Sequence, residues 1–390
     1  MKRIALSTVS LALLSATGAV HAQSSVTLYG VIDEAFQFVH NANPDGKNLY
    51  QLAGGNLQGN RWGLKGTEDL GGGLKAIFQL ENGFDINNGQ LNQGGRMFGR
   101  QAYVGLAHEA YGTVTLGRQY DPLVDLVQPL TADNYFGSTF TTPGDVDNND
   151  NSSRTNSAVK YTSPTWSGFQ FEGMYAFGGV AGQTGSQQTW SGAATYATGP
   201  FSVAAGYIRM NNANSSVIRP NNSFTSTSDG TIDSIVNGAY ATAKSIGIAS
   251  VAVQFVTGPF TASARYSNAQ YKPDGASTFA STERYNVAGG YLGYQVTPAA
   301  LLGLGYTYTH GSGDTSASYN QVSLGGDYNL SKRTDLYLVG AWQRASGTQR
   351  NPRSSPPQQL QPAVASVADY GFTGDSRTQE IVSLGIRHKF

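Results

Sequence analysis

Among the irregular segments of this sequence, the one with the largest number of charged residues lies between residues 119 and 153, and all of these charges are acidic. It contains no lysine or arginine, and its carboxylates are Asp121, Asp125, Asp133, Asp145, Asp147 and Asp150. Carboxylates at this density attract cations, so they can contact a divalent ion or form a solvated loop surface. The first basic residue after them is Arg154. The segment is therefore a candidate for a functional site, with a solvated loop surface or a divalent-cation contact as the plain alternative.

The sequence has few features that favour a catalytic function. The chain has no cysteine, which excludes thiol catalysis and cysteine-based metal sites. It has neither a Walker-type phosphate loop nor a His-x-x-x-His metal pair. Beyond residue 22 the histidines are widely separated and no spacing marks a catalytic pair: His40, His108, His310 and His388. We expect no enzyme, no cofactor and no metal site.

The first 22 residues have the layout of a secretory signal peptide, with Lys2 and Arg3 before an apolar stretch and a Val20-His21-Ala22 end. Cleavage before Gln23 leaves a mature chain of residues 23–390. Removing Lys2 and Arg3 from the 25 basic residues, against 25 acidic ones, gives a net charge of −2. This charge argues against a nucleic-acid partner.

Composition favours a membrane β-barrel over a soluble protein. Charged residues are 13% of the chain, against about 25% in ordinary soluble domains. The mean hydropathy is −0.29. A value near neutral fits a barrel wall, which needs an apolar residue only at every second position. No window after the signal peptide is apolar for long enough to cross a membrane as a helix.

Alternation of apolar and polar residues recurs along the mature chain. In the segment 26–33, VTLYGVID, Thr27, Tyr29 and Asp33 share one face. Such segments predict sixteen strands that start near residues 25, 60, 74, 100, 112, 154, 168, 188, 201, 246, 260, 283, 299, 319, 334 and 377. Short links alternate with long polar segments near residues 40–59, 85–99, 120–153, 178–187, 211–245, 272–282, 310–318 and 345–376.

These features predict an all-β fold, a transmembrane antiparallel β-barrel of 16 strands. Unpaired backbone groups are costly in lipid, so a membrane sheet must close on itself. An even strand number with short periplasmic turns and long outer loops is typical of outer-membrane barrels. Sixteen strands leave a water-filled channel.

Several segments together resemble the trimeric general-diffusion porins of Gram-negative outer membranes, particularly those of β-proteobacteria. They are 25–30 (SVTLYG), 60–71 (NRWGLKGTEDLG), 99–106 (GRQAYVGL), 116–120 (LGRQY), 154–163 (RTNSAVKYTS) and 385–390 (GIRHKF). The similarity spans the mature chain. It implies passive diffusion of small hydrophilic solutes and ions, a location in the outer membrane and a homotrimer in contact with lipid and lipopolysaccharide.

The resemblance also implies a constriction, in which the third outer loop, about residues 119–153, folds into the pore and faces basic wall residues. The matching residues are Arg61, Arg100, Arg154 and Glu81 on the wall, with Asp121 and Asp133 on the loop. In the two-residue alternation of its strand, however, Arg100 falls on the same side as the apolar residues that are predicted to face lipid. Either a bulge at residues 99–101 turns it inward, or Arg96 or Arg118 takes its place.

The last residue, Phe390, follows an alternating strand, and the resemblance implies that it is a signal for the barrel assembly machinery. An ordinary residue of the aromatic belt is the alternative. Two other functions remain open for the barrel: a channel specific for one substrate, and an adhesive or structural barrel that acts through its outer loops.

Overall fold

The structure, a computed structural model, describes residues 25–220, 224–229, 232, 234–354, 359–372 and 374–390. The predicted signal peptide lies outside the described residues. Within them, no helix is long and apolar enough to cross a membrane.

In the described part of the chain, sixteen long antiparallel strands form the predicted barrel, each beginning within three residues of its predicted start. They are β1 Ser25–His40, β2 Arg61–Gly71, β3 Leu74–Gly83, β4 Gln101–His108, β5 Gly112–Gln119, β6 Arg154–Thr162, β7 Phe169–Ala176, β8 Thr189–Thr198, β9 Phe201–Asn211, β10 Ser245–Thr257, β11 Phe260–Lys272, β12 Glu283–Thr297, β13 Ala300–Ser312, β14 Ser316–Asn329, β15 Thr334–Arg350 and β16 Thr378–Lys389. Three short strands in outer loops extend the sheet: Leu49–Gly54, Ser228–Asp229 and Leu360–Pro362.

The barrel closes through β1, which pairs with β2 over residues 25–31 and with β16 over residues 31–40. The terminal residue completes this seam, because Phe390 and Gly30 exchange two backbone hydrogen bonds of 3.1 Å. The phenyl ring lies against Gly30, where a Cβ atom would be 2.3 Å from the ring. Each strand thus has two neighbours, as a sheet at membrane depth requires.

Side chains alternate between the two faces of the wall as the sequence predicts. In β15, Leu336 and Leu338 are exposed on the outside, whereas Tyr337 and Val339 are buried inside. In β16, Val382, Leu384 and Ile386 form one exposed apolar row. An apolar outer face of this kind suits contact with lipid.

The third loop, residues 120–153, folds into the barrel. Its helical turns are Pro122–Leu126, Gln128–Leu130, Asp133–Phe136, Gly137–Phe140 and Pro143–Asp145; others lie at Asn92–Gly95 and Gly238–Tyr240. Phe136 packs on the inner wall, where a Cβ at Gly303 or Gly325 would lie 2.2 or 2.4 Å from its ring. These glycines make room for the aromatic side chain.

Two further loops enter the lumen, although the sequence predicts them as long polar segments outside the barrel. In the fifth loop, residues 212–244, Ile235, Val236 and Tyr240 are buried. In the last loop, residues 351–377, the stretch from Ala363 to Ala368 is buried. These stretches therefore lie inside the barrel and not outside it, because apolar residues in both loops pack on the wall and on the third loop.

Candidate functional site

A cavity of about 490 Å³ lies inside the barrel, between the wall at β2, β3 and β6 and the inward loops. Most groups that line it are polar. Its lining includes Gly55, Leu57, Gln58, Gly59, Arg61, Glu81, Arg100, Tyr120, Val124, Asp125, Gln128, Pro129, Asp133, Asn134, Ser138, Asp150, Asn151, Ser152, Arg154 and Asp369. Five of the six residues predicted for the constriction line this one cavity.

On the wall side of the cavity, Glu81 lies between arginine side chains. Its carboxylate lies 2.8 Å from Nε of Arg100 and 3.9 Å from Nε of Arg61. It also accepts hydrogen bonds of 2.8 and 2.9 Å from the hydroxyls of Tyr29 and Tyr120. Two guanidinium groups thus share one carboxylate.

The strand register creates this arrangement. Gly63 pairs with Tyr29 of β1 on one side and with Glu81 of β3 on the other. A Cβ atom at Gly63 would lie 2.7 Å from the Tyr29 hydroxyl. The absent side chain leaves space for Tyr29 to cross β2 and reach Glu81.

Arg154, the first residue of β6, is 8% exposed and forms no ion pair with any described residue. Its Nη1 donates a hydrogen bond of 2.9 Å to the carbonyl of Ser152, while its Nε has no hydrogen-bond partner. The Tyr120 ring lies between two guanidinium groups, 5.7 Å from that of Arg100 and 5.8 Å from that of Arg154. Such contacts hold cations in place without cancelling their charge.

Arg100 reaches the cavity because it precedes β4 instead of continuing the alternation of that strand. Its backbone N–H donates to the carbonyl of Glu81, and the next residue, Gln101, also pairs with Glu81. Two successive residues therefore lie opposite Glu81, which has the same effect as a β-bulge.

The two alternative arginines lie elsewhere. Arg118 forms two hydrogen bonds, of 3.0 and 3.1 Å, with the carboxylate of Asp229. Arg96 is 3.3 Å from the same carboxylate and is half exposed. Neither lines the cavity. Through Asp229, the loop that carries Arg96 and the strand β5 that carries Arg118 are both connected to the fifth loop.

The loop side of the cavity carries Asp133, Asp150 and Asp369, none of which forms an ion pair with a described residue. Gln128 donates a hydrogen bond to Asp133. Burial raises the pKa of Asp133 to about 6 and that of the neighbouring Asp145 to about 7. Burial and the charge of Asp133 also raise the pKa of Asp150.

The other aspartates of the third loop have structural contacts. Asp121 is 2% exposed and lies outside the cavity lining, so its place at the constriction stays a prediction. It accepts a hydrogen bond of 2.9 Å from the backbone N–H of Leu123, and so caps a helical turn. Asp147 binds Arg265 of β11 at 2.7 Å. This ion pair therefore anchors the third loop to strand β11 of the wall.

Tyr120 and Asp369 are among the lining residues that the sequence does not assign to the site. Tyr120 belongs to the segment LGRQY, but only its position between two arginines assigns it to the site. Asp369 lies in the last loop, about 220 residues from the third, and no spacing in the sequence relates them. Within the described residues, no three acidic or histidine side chains are arranged to hold a metal ion.

Comparison with known proteins assigns the family. Residues 7–348 match the family model described as Gram-negative porin. An outer membrane porin protein of Bordetella pertussis is 30% identical, with 96% of each chain covered. Outer membrane porin protein 32 of Delftia acidovorans is 36% identical over 53% of this chain and 60% of its own length.

Solved structures agree in fold. An anion-selective porin from Comamonas acidovorans superposes with a TM-score of 0.71 at 24% identity, covering 94% of this chain and all of the other. OmpT of Vibrio cholerae, in a trimer form, gives 0.63 at 16% identity, covering 94% of this chain and 99% of the other. This chain belongs to the Gram-negative porin family and is an outer-membrane β-barrel channel for the diffusion of small hydrophilic solutes.

Proposed function

We propose that solute flow through this porin is controlled at the cavity described above. One wall contributes Arg61, Arg100, Arg154 and Glu81. Asp133 and Asp150 of the third loop face them, and the last loop contributes Asp369. Opposite charges on two sides of a narrow water column create a transverse electric field. Polar solutes and water can orient in this field, whereas apolar molecules would have to disrupt ordered water.

The observation that carries this proposal is the surplus of positive charge on the wall. Three guanidinium groups stand beside one carboxylate, and Arg154 has no carboxylate within 4 Å among the described residues. The wall therefore attracts anions. The three loop-side carboxylates without an ion pair to a described residue, Asp133, Asp150 and Asp369, oppose this attraction, so we expect a weak overall ion preference.

Planar-bilayer recording tests the proposal directly. The purified protein should insert in steps of conductance in KCl, and a salt gradient should give a small reversal potential. Insertion without conductance would refute the channel. A reversal potential that is unchanged when the charged lining residues are neutralised would remove them from the constriction.

We further propose that the protein works as a non-enzymatic homotrimer embedded in lipid and lipopolysaccharide. We also propose that Phe390 is read by the barrel assembly machinery. Support comes from the family resemblance, the exposed apolar outer face and the position of Phe390 at the closing seam. Chemical cross-linking in native membranes should yield a species of three chains; a monomer alone would contradict the oligomer.

A further inference from the structure

The chain leaves the barrel wall for six residues just before β2. The short strand Leu49–Gly54 pairs with residues 34–39 of β1, and β2 pairs with residues 25–31 along the same edge of β1. Residues 55–60, which we call the inward turn, therefore span a gap of only two β1 residues, Ile32 and Asp33. Extra residues of this kind cannot pair in the ladder, so they must bulge to one side of the wall.

Asp33 fills this gap and holds the inward turn on the lumen side. Its backbone N–H donates to Oδ1 of Asn60 at 2.6 Å, and its carbonyl oxygen accepts from the N–H of Gly55 at 2.9 Å. Its carboxylate accepts hydrogen bonds of 2.8 Å from the backbone N–H groups of Leu57 and Gln58. Four hydrogen bonds thus join one wall residue to the turn.

The carboxylate of Asp33 has one further partner, which belongs to the wall. The hydroxyl of Tyr337 on β15 donates to its Oδ1 atom. Asp33 is fully buried, and a buried carboxylate is stable only where hydrogen bonds or an ion pair replace its water. Hydrogen bonds to an ionised group are roughly twice as strong as neutral ones. The backbone of the inward turn is therefore held firmly.

The inward turn contacts two arginines of the wall. The carbonyl oxygen of Gly59 accepts a hydrogen bond of 3.0 Å from Nη1 of Arg61. A Cβ atom at Gly59 would lie 3.1 Å from Nη1 of Arg100. Four residues of the turn line the cavity beside these guanidinium groups: Gly55, Leu57, Gln58 and Gly59. The position of Arg61 therefore depends on the position of the turn.

The inward turn also supports the third loop. Leu57 is buried in one cluster with Phe136 and Phe140 of that loop. Gly137 lies so close to the turn that a Cβ atom there would be 2.3 Å from the carbonyl oxygen of Asn56. The third loop thus packs directly on a segment that Asp33 fixes.

We propose that Asp33 is a positioning residue of the constriction. It does not line the cavity and acts through the inward turn, whose backbone it holds. With the turn in place, Gly59 directs Arg61 into the cavity and Leu57 supports the third loop. The inference rests on the proposed arginine wall and adds to it a residue that fixes its geometry.

Two variants of Asp33 separate its position-holding role from its charge. Asp33→Asn and Asp33→Ala remove the same charge, but the asparagine amide can still accept from the two N–H groups and donate to the Tyr337 hydroxyl. Each variant is recorded in planar bilayers with and without Arg61→Ala. The readouts are the permeability ratio, from the reversal potential in a KCl gradient, and the open-channel noise.

The effect of Arg61→Ala should depend on what occupies position 33. With Asp33→Asn, Arg61→Ala should shift the permeability ratio toward cations about twofold, as expected for one charge at about 10 Å in water. With Asp33→Ala the guanidinium is no longer held in the cavity, so the same substitution should leave the ratio nearly unchanged. Open-channel noise should rise with Asp33→Ala and stay normal with Asp33→Asn, because only alanine releases the turn.

Two further variants serve as controls. Tyr337→Phe removes the wall partner of Asp33 and leaves the turn attached, so the noise and the full effect of Arg61→Ala should persist. Electrophoretic mobility without heating shows whether each barrel is folded. If Asp33→Ala yields no folded barrel, Asn60→Ala removes one of the four bonds to the turn and keeps the buried carboxylate. It should reduce the effect of Arg61→Ala, and an undiminished effect would overturn the proposal.

The outcomes separate the role of Asp33 from the arginine wall. An equal effect of Arg61→Ala in the two Asp33 variants would overturn the positioning role and leave the wall intact. A Tyr337→Phe variant that behaves like Asp33→Ala would assign Asp33 to the packing of the barrel wall, and would also overturn the proposal. Arg61→Ala without effect in the otherwise unaltered protein would refute the arginine wall, and the role of Asp33 with it.

Discussion

Gly144 donates its backbone N–H to the carbonyl oxygen of Ala368 at 2.5 Å, and so joins the third loop to the last loop inside the barrel. The two residues are more than 200 positions apart in the sequence. This contact makes the lining of the cavity a product of two loops.

Replacing Arg61 and Arg154 by alanine should shift ion selectivity toward cations. At about 10 Å in water each charge is worth about 0.4 kcal/mol, so the loss of two should change the permeability ratio roughly fourfold. The reversal potential in a KCl gradient measures the change. Arg353→Ala, in an exposed outer loop, is the control. An unaltered reversal potential in the double variant would count against the arginine wall.

Replacing Glu81 by glutamine should increase the preference for anions. The substitution removes the carboxylate that Arg61 and Arg100 share, and one charge at about 10 Å corresponds to about a twofold change in the permeability ratio. Glu109→Gln should have no effect, because the Glu109 side chain is 88% exposed at a turn. A shift toward cations in the Glu81 variant would contradict the assignment.

Lowering the pH from 8 to 5 should make the channel more anion-selective. Burial raises the pKa of Asp133 to about 6 and that of Asp145 to about 7. These carboxylates are therefore charged at pH 8 and become neutral as the pH falls through those values, which removes negative charge from the loop side. Reversal potentials at the two pH values measure the shift. It should be smaller in the double variant Asp133→Asn, Asp145→Asn, and an equal shift would refute the explanation.

Replacing Gly144 by valine should loosen the third loop. Gly144 has φ +62°, and a Cβ atom there would lie 2.1 Å from Oγ of Ser234 in the fifth loop. Strain of about 1–3 kcal/mol is expected for a non-glycine residue in such a conformation. Single-channel recordings should show greater open-channel noise. Gly275→Val, where a Cβ atom meets nothing within 4 Å, should behave like the unaltered protein; equal noise in both variants would contradict the prediction.

Replacing Phe390 by alanine should reduce the fraction of folded barrels in the outer membrane. The ring packs on Gly30 at the seam between β1 and β16, and its role as an assembly signal remains a prediction. Electrophoretic mobility without heating measures the folded fraction. Phe201→Ala removes a ring that is equally exposed, 39% against 40%, away from the seam. Equal loss in both variants would assign Phe390 to the ordinary aromatic belt.

Sequence patterns located the strands and part of the site. Arg61 and Arg154 begin β2 and β6, so strand alternation and the resemblance together were enough to assign them to the wall. Arg100 could not be assigned in this way, because two residues of its segment lie opposite Glu81 and interrupt the alternation. Asp121 caps a helical turn outside the cavity lining, and no sequence pattern distinguishes a helix cap from a pore-lining carboxylate in an acidic segment.

The sequence by itself determined the closed barrel, because a two-residue repeat and the need to pair every backbone group in lipid are properties of each strand. Only the tertiary structure decided which carboxylates line the same cavity as the arginines. The loops have no repeat that predicts their path, and their positions depend on packing between distant segments, as at Asp147 with Arg265 and Ser152 with Asp369.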